Sequence, residues 1–218
     1  MTPQATTQQI RDIINSLIVA SLVNHQMYPA CRKIGKLTSV IIDGSPDLST
    51  SMKSLPYEDI YNALRSAGAY HMQMIDGALV QLLYTFENNN LLSHRLAYFP
   101  SPLLESYDEA AEFYDHEPLF GDIFSKISIR SPIRFDYSSS DKEYIDIDHP
   151  RSHMTIGKHK SCRVPVSGPL TPFRFMRFLL RNFYGPAYSS VNFDTKATQS
   201  RFADTISSNE KKILHIVG

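Results

Sequence analysis

The dipeptide Asp76-Gly77 constrains the fold of this chain more than any other feature of its sequence. It separates two apolar runs, residues 69–75 and 78–86, and Asp-Gly is a preferred sequence for the two-residue type I′ turn of a β-hairpin. A Glu-Asn-Asn-Asn turn follows and leads into a third run, residues 91–99. Because hairpins join neighbouring antiparallel strands, the sequence predicts a three-stranded antiparallel β meander.

Three segments have the apolar spacing of helices that bury one face. Residues 4–26 carry isoleucine and leucine at that spacing, and Pro56 opens a second predicted helix that ends at Gly68. The third predicted helix runs over residues 171–184, with Thr171 as its N-cap and a proline in its first turn.

Further strands are predicted over residues 37–42, 127–137, 152–156 and 162–166. The last two form a β pair that is joined by a basic, glycine-led connection. Pro132 interrupts the second segment. Because proline cannot donate a ladder hydrogen bond, this end of the segment is predicted to lie at a sheet edge.

These elements predict an α+β fold in which a largely antiparallel sheet, the β meander plus the β pair, packs against N-terminal and C-terminal helices. The chain has 218 residues and no evident internal boundary, so a single domain over residues 1–218 is expected. Residues 187–218 form a weakly patterned C-terminal tail, in which a last helix could start at Asn209.

Charge is segregated along a chain whose net charge is zero. Residues 103–125 contain seven acids and no Lys or Arg, whereas residues 149–184 contain seven Lys and Arg and no acid. Two interpretations stay open. The two segments pack together and neutralise each other, or the basic segment meets an external anion while the acidic segment faces a protein partner.

The densest group of reactive side chains lies in residues 146–160. Imidazole can donate and accept a proton near neutral pH, so His149, His153 and His159 are candidate catalytic residues for phosphodiester cleavage without a metal. Pro150 separates the first two and removes the helical HxxxH geometry of zinc sites, so no metal site is predicted. The alternative for each histidine is a hydrogen bond within a turn.

A second signal is an arginine stripe on the third predicted helix. Arg174, Arg177 and Arg181 lie within about 60° of one another at the helical spacing, and the rest of the circumference is mostly apolar. A partly buried guanidinium needs a counter-charge. That charge is either an internal carboxylate, with Asp146 and Asp148 as candidates and this choice favoured, or an external phosphate.

His94, in the third strand of the meander, is a further candidate catalytic residue. Alternation places it on one face and Arg95 on the other, and a histidine in a central strand is more often a satisfied core residue than a catalyst.

The residues predicted to bind nucleic acid or another anion are Arg151, Lys158, Lys160, Arg163, Arg174, Arg177 and Arg181.

The sequence lacks the motifs of several large enzyme classes. It contains no P-loop, GxGxxG, GxSxG or HExxH motif, and no cofactor is predicted. It has no signal-peptide pattern and no uninterrupted apolar window of about 18 residues. Its two cysteines are isolated, so a cytoplasmic protein with reduced thiols and no membrane partner is expected.

A family resemblance is carried by five stretches of the sequence: residues 94–102, 132–137, 149–157, 162–166 and 170–173. Together they resemble an uncharacterised bacterial family, the domain of unknown function numbered twenty-two-ninety. The resemblance implies no activity, because the family has none established. Its members look like parts of mobile gene neighbourhoods that include phage-defence functions, which implies nucleic acid or a nucleic-acid-handling protein as a partner.

Three functions from different classes fit these observations. The first is a non-enzymatic accessory or assembly subunit of a bacterial nucleic-acid-handling complex, with a basic face in residues 149–184. Its partners would be a larger nuclease, helicase or ATPase and DNA or RNA. The second is a small metal-independent ribonuclease or toxin-like effector that uses His149, His153 or His159. The third is a domain whose charged segments only neutralise each other. The sequence favours them in that order, and so leans toward a protein that is not an enzyme.

Overall fold

The computed structural model describes residues 1–44, 55–102, 131–157, 161–188 and 201–218. The helices are α1 (Pro3–Val19), α2 (Tyr57–Ser66), α3 (Pro172–Phe183) and the one-turn α4 (Gly185–Tyr188), and a 3-10 turn covers Glu210–Lys212. The strands are β1 (Val23–Gln26), β2 (Pro29–Ile34), β3 (Leu37–Ile42), β4 (Met72–Met74), β5 (Leu79–Glu87), β6 (Asn90–Phe99), β7 (Ile133–Ser138), β8 (Ser152–Ile156) and β9 (Val164–Pro165).

The strands of the described residues form one antiparallel sheet. Its order is β1-β4-β5-β6-β7-β8-β9, and β3 pairs with the second half of β5 and carries β2 outside it. The long hairpin of β5 and β6 is the centre of this sheet and is paired along its whole length. The predicted α+β fold, a largely antiparallel sheet flanked by N-terminal and C-terminal helices, is confirmed.

The turn at Asp76-Gly77 has three residues instead of the predicted two. Only Gly77 has a positive φ, 79°, whereas a type I′ turn needs two such residues. The Met74 N–H donates to the Ala78 carbonyl at 2.7 Å, which encloses a three-residue loop with glycine at its left-handed position. The prediction of a type I′ turn here is therefore wrong, although the hairpin itself is present.

The type I′ turn of the meander lies at its other end. Asn88 and Asn89 have φ of 48° and 70°, and they join Glu87 directly to Asn90. Asparagine tolerates the left-handed region better than most residues, so this pair satisfies the turn without glycine.

The N-terminal helix is shorter than the predicted segment, residues 4–26. Its buried face is as expected and includes Ile10, Ile14 and Leu17, but α1 ends at Val19 and Ser21 takes a φ of 56°. The chain then forms the edge strand β1 against β4 and the unpredicted strand β2.

Pro132 does not mark a sheet edge, so that prediction is wrong. Strand β7 starts at Ile133 and lies between β6 and β8. Because Pro132 precedes the first paired residue, its missing N–H removes no ladder bond, and its carbonyl accepts the Gly157 N–H at 2.7 Å. Residues 127–130 of the predicted strand lie outside the described residues.

The two faces of the sheet are covered differently. One face, here called the core face, packs against α1 and α3 and carries Tyr84, Leu96 and Phe135. Helix α3 has the predicted cap, because the Thr171 hydroxyl accepts the Arg174 N–H at 3.4 Å. The opposite face, the second face, meets α2 at one end, where Tyr61 and Leu64 of this helix cluster with Leu79, Ala97 and Phe99 of the sheet.

The C-terminal segment, residues 201–218, is packed against the residues that directly follow β9. Ile216 forms a bridge with Val166, and the Ser167 carbonyl accepts the Thr205 N–H at 2.8 Å. The helix predicted from Asn209 is a single 3-10 turn, Glu210–Lys212. The C-terminal segment therefore packs in a defined way on the rest of the fold, although its sequence has only a weak apolar pattern.

Replacing Gly168 with alanine should destabilise the protein, because this glycine lies close to the backbone of the C-terminal segment. A Cβ at Gly168 would lie 2.9 Å from the Ala203 carbonyl oxygen, a backbone atom that cannot move aside cheaply. We expect Gly168→Ala to lower the free energy of unfolding by about 1–3 kcal/mol in urea denaturation. Gly185→Ala, whose Cβ meets nothing within 4 Å, is the control. Equal midpoints for the two variants would contradict this account.

Candidate functional site

Three polar side chains form a row across three neighbouring strands. Arg95 on β6 lies directly opposite Asp136 on β7, which lies directly opposite His153 on β8. Directly opposed residues share a face because side chains alternate along each strand. We call Arg95, Asp136 and His153 the polar row, and it lies on the second face of the sheet.

Two arginines hold the carboxylate of the polar row. Arg95 Nε lies 3.2 Å from Asp136 Oδ1, and Arg134 Nη2 lies 3.3 Å from Asp136 Oδ2. The side chains of Arg95 and Arg134 are 36% and 37% exposed and that of Asp136 is 18% exposed. The Arg134 Nε is buried and has no acceptor among the described residues. Two guanidiniums on one carboxylate leave a positive charge at the surface.

His153 is a buried, oriented imidazole beside these charges. Its Nδ1 lies 2.8 Å from the Pro150 carbonyl, which can only accept, so Nδ1 carries the proton and the neutral ring keeps a lone pair on Nε2. Burial lowers the pKa of His153, and the nearby His149 and Arg163 lower it further. The Pro150 carbonyl and Asp136 act in the opposite direction. The ring is therefore poised as a neutral acceptor.

His149 lies next to His153, and the two ring centroids are 5.0 Å apart. It closes a tight turn in which its N–H donates to the Ile145 carbonyl at 2.7 Å. Ile147, inside this turn, has a φ of 71°, which is rare and strained for a β-branched residue. The sequence left open whether its histidines converge, and the structure places the rings of His149 and His153 side by side.

Asp146 anchors the same turn to the C-terminal segment. Its carboxylate accepts from the Ser207 hydroxyl at 2.6 Å, the Asn209 amide at 2.7 Å and the Tyr144 hydroxyl at 3.0 Å. These hydrogen bonds, first that of Ser207 and then that of Asn209, lower the pKa of Asp146. The predicted pairing of Asp146 with the α3 arginines is therefore wrong, because a neighbouring turn already uses both carboxylate oxygens.

His94 does not join the polar row. It lies on the core face, where its Nδ1 is 3.2 Å from the Phe135 carbonyl and its Nε2 accepts the Leu170 N–H at 3.1 Å. Both ring nitrogens are thus engaged by backbone groups of the fold. This matches the satisfied core histidine that the sequence offered as the alternative to a catalytic role.

The predicted anion-binding residues are dispersed. Arg151 donates to the Ser139 carbonyl at 2.9 Å, pairs with Asp141, and lies 4.8 Å from the Tyr144 ring centroid, so it holds a loop together. Arg163 is half-buried near His153. On α3, Arg174 and Arg177 are half-buried and Arg181 is exposed. Lys158, His159 and Lys160 lie outside the described residues.

The arginine and aspartate members of this site were not predicted as site residues. Arg95, Arg134 and Asp136 carry no motif, and each appears in the sequence only as the outward residue of an alternating strand. Alternation does place Arg95 away from His94, as observed. What the sequence lacks is the pairing of β6 with β7, which brings together residues 41 positions apart.

The described residues were also searched for metal-binding groups and for membrane-spanning helices. Among the described residues, no group of three or more His, Cys, Asp and Glu side chains is arranged to hold a metal ion. Of the helices in these residues, none has the length and apolarity needed to cross a membrane.

The described residues form an α+β protein whose antiparallel sheet presents the polar row, with Arg134 beside it, on the face opposite α1 and α3. The chain belongs to an uncharacterised conserved protein family, DUF2290, whose family model matches residues 22–217. The resemblance inferred from the sequence is thereby confirmed. No curated protein and no solved structure is significantly similar to the chain.

Buried histidines should make the protein sensitive to acid. Burial lowers the pKa of His71 to about 3 and that of His94 to about 4, both below the unfolded value. The stability that these two buried, neutral histidines contribute is therefore fully present above about pH 6.5 and is lost as the pH falls toward 4. The reason is that the unfolded chain binds protons that the folded chain excludes. Each histidine should add up to about 1.4 kcal/mol per pH unit to the slope of the free energy of unfolding against pH.

The variant His94→Gln should reduce that slope by one histidine's share, as measured by urea denaturation at pH 7, 6 and 5. His215→Gln is the matched control, since His215 is not one of the buried histidines: it is half-buried, and its Nδ1 lies 3.0 Å from the Ile213 carbonyl oxygen. A slope in His94→Gln that equals the wild-type slope would show that His94 titrates normally in the folded protein.

Proposed function

We propose that this protein is a phosphate-binding accessory subunit of a bacterial nucleic-acid-handling complex, and that the polar row with Arg134 and Arg163 is its anion-binding surface. The observation that carries the proposal is the sharing of one carboxylate, Asp136, by the guanidiniums of Arg95 and Arg134 at 3.2 and 3.3 Å. Arginine presents a planar fork of donors that matches phosphate oxygens, so a surplus of such forks favours a phosphate ligand.

The environment of the row supports the same conclusion. The two arginines are partly exposed, so a ligand can reach them, and Asp136 fixes their orientation in advance. His153 is neutral at physiological pH and keeps an acceptor on Nε2, which suits a hydroxyl group beside a phosphate. The site therefore combines positive charge for the phosphates of a nucleic acid with a hydrogen-bond acceptor for a sugar hydroxyl.

A protein partner is the second half of this proposal. It rests on the segregated charge of the sequence, in which seven acids of residues 103–125 are separate from the basic segment. The narrower proposal, that the complex serves phage defence, rests on the family resemblance alone. Purification of the native protein from its host tests both parts: a stable partner that handles nucleic acid is expected, and a chain recovered alone would count against the subunit role.

The anion-binding surface is tested by salt-dependent nucleic-acid binding. Arg95→Gln and Arg134→Gln should each weaken binding of duplex DNA or RNA and lower the slope of log affinity against log salt by about 0.9, the value for one duplex phosphate. Each variant leaves the other arginine on Asp136, so the fold should persist. The control is Arg32→Gln, on the exposed edge strand β2. Equal slopes in all four proteins would rule out a phosphate contact by the row.

A metal-independent ribonuclease is the second candidate, because the His149 and His153 rings are 5.0 Å apart and His153 belongs to the same row as Arg95. In this reaction His153 Nε2 would take the proton of the RNA 2′-hydroxyl, whose oxygen attacks the phosphorus. Protonated His149 would then give a proton to the departing 5′-oxygen, which leaves a 2′,3′-cyclic phosphate. The nearby arginines would stabilise the negative charge of the pentavalent phosphate.

The ribonuclease candidate predicts cleavage of single-stranded RNA in the presence of EDTA. His153→Ala should slow this cleavage by about 10²- to 10⁴-fold, the usual contribution of a general base, while His215→Ala should leave it unchanged. Binding of RNA without any cleavage by the wild-type protein would reject the ribonuclease and leave the binding subunit. Cleavage that is unchanged in His153→Ala would point to a contaminating enzyme.

A further inference from the structure

Within the polar row, His153 differs from the two charged residues because the free nitrogen of its neutral ring can only accept a hydrogen bond. Its Nδ1 lies 2.8 Å from the Pro150 carbonyl oxygen and carries the proton, which leaves the lone pair on Nε2. Within the described part of the chain, this Nε2 has no hydrogen-bond partner. Unlike the Nε2 of His71, it is not a buried atom that lacks a partner, so a donor from outside the protein can reach it.

The contacts around His153 hold its ring in one orientation. The Pro150 carbonyl fixes the Nδ1 edge, and the His149 ring lies beside it with the two centroids 5.0 Å apart. Burial lowers the pKa of His153, which keeps the ring neutral at physiological pH. Because the ring is already ordered, accepting a hydrogen bond from a ligand costs it little conformational freedom.

The acceptor and an arginine of the row lie close together on the second face. His153 is directly opposite Asp136, and Asp136 is directly opposite Arg95. Because neighbouring strands are about 4.8 Å apart, the backbone positions of His153 and Arg95 are separated by roughly 10 Å. The Arg95 side chain reaches toward Asp136, whose Oδ1 lies 3.2 Å from its Nε. A phosphate on Arg95 and a sugar beside His153 can therefore belong to the same nucleotide.

The sugar decides which nucleic acid such a site selects. Phosphate contacts do not distinguish RNA from DNA, because both strands carry the same phosphate oxygens. The group that differs is the 2′-hydroxyl of ribose, which is also the hydrogen-bond donor nearest to a phosphate along an RNA strand. A neutral imidazole nitrogen accepts from this hydroxyl, whereas deoxyribose offers only a C–H in its place.

We infer that the nucleic acid bound by the polar row is RNA, and that His153 Nε2 recognises the ribose 2′-hydroxyl. This inference rests on the proposed function, because it takes Arg95 and Arg134 as the residues that bind the phosphates. It adds the class of nucleic acid and assigns its selection to one residue. His153 acts here in binding alone, and no bond is made or broken.

The test compares how tightly the full chain binds one single-stranded sequence, free of uracil, as RNA, as DNA and as 2′-fluoro RNA. Fluorine is close in size to a hydroxyl group and keeps the sugar pucker of RNA, but it cannot donate a hydrogen bond. The wild-type protein should bind RNA about 3- to 10-fold tighter than either of the other strands, which is the effect of one neutral hydrogen bond.

The variant His153→Asn isolates the acceptor. Its amide N–H can still donate to the Pro150 carbonyl, and it places no acceptor where Nε2 lies. The preference for RNA should disappear, while the slope of log affinity against log salt stays at its wild-type value because the arginines are untouched. His25→Asn, exposed on β1 and far from β8 in the sheet order, is the matched control and should keep the preference. If His153→Asn does not fold, His153→Phe, which keeps a ring without nitrogens, gives the same comparison.

The outcomes separate this inference from the proposed function. Equal binding of RNA and 2′-fluoro RNA by the wild-type protein, with a salt slope that Arg95→Gln lowers, would overturn the inference and leave the anion-binding surface standing. A preference that His153→Asn retains would also overturn it, because another group would then recognise the sugar. No binding of any strand at low salt would reject the proposed function, and this inference with it.

Discussion

The register of β6 between β5 and β7 is the constraint on which both faces of this protein depend. Leu96 lies opposite Leu82 and Phe135 on the core face, and its neighbour Arg95 lies opposite Asp136 on the second face. Because side chains alternate with a period of two, a slip of one residue would exchange these sets. It would bury the Arg95 guanidinium against α1 and α3, at a cost of several kcal/mol. The candidate site and the core are thus specified together.

Tyrosine hydroxyl groups stabilise this register, because they form hydrogen bonds between the sheet and the residues at the two ends of α3. The Asp76 carboxylate, turned inward by its three-residue loop, accepts the Tyr184 hydroxyl at 2.8 Å to Oδ2 and 2.9 Å to Oδ1, and the Tyr98 hydroxyl at 3.4 Å. Burial raises the pKa of Asp76, and these donors oppose the rise. At the other end of α3, the Leu170 carbonyl accepts the Tyr84 hydroxyl at 3.0 Å. Strands and helix are therefore coupled at two points.

Local patterns allowed much of this fold to be predicted, and non-local pairings account for what was missed. The cap of α3, the alternation of β6 and β8 and the central meander are encoded within a few residues of each position. The end of α1 depends on pairing of β1 with β4, about fifty residues away in sequence. The site shows the same division: the closeness of His149 and His153 is local, whereas the arginines on Asp136 require a cross-strand register that no short window contains.

The C-terminal segment, whose pattern was weakest in sequence, supports the turn beside the candidate site. Ser207 and Asn209 hold Asp146, and so stabilise the strained turn at Ile147 that presents His149 to His153. The same segment also contacts the sheet directly, because its Thr205 hydroxyl donates to the Ser152 hydroxyl on β8 at 3.3 Å. Polar side chains with sparse apolar spacing suit such a role, because they bond to loops on either side of a sheet edge. A weak amphipathic pattern is therefore the expected signature of a segment that positions sites instead of filling a core.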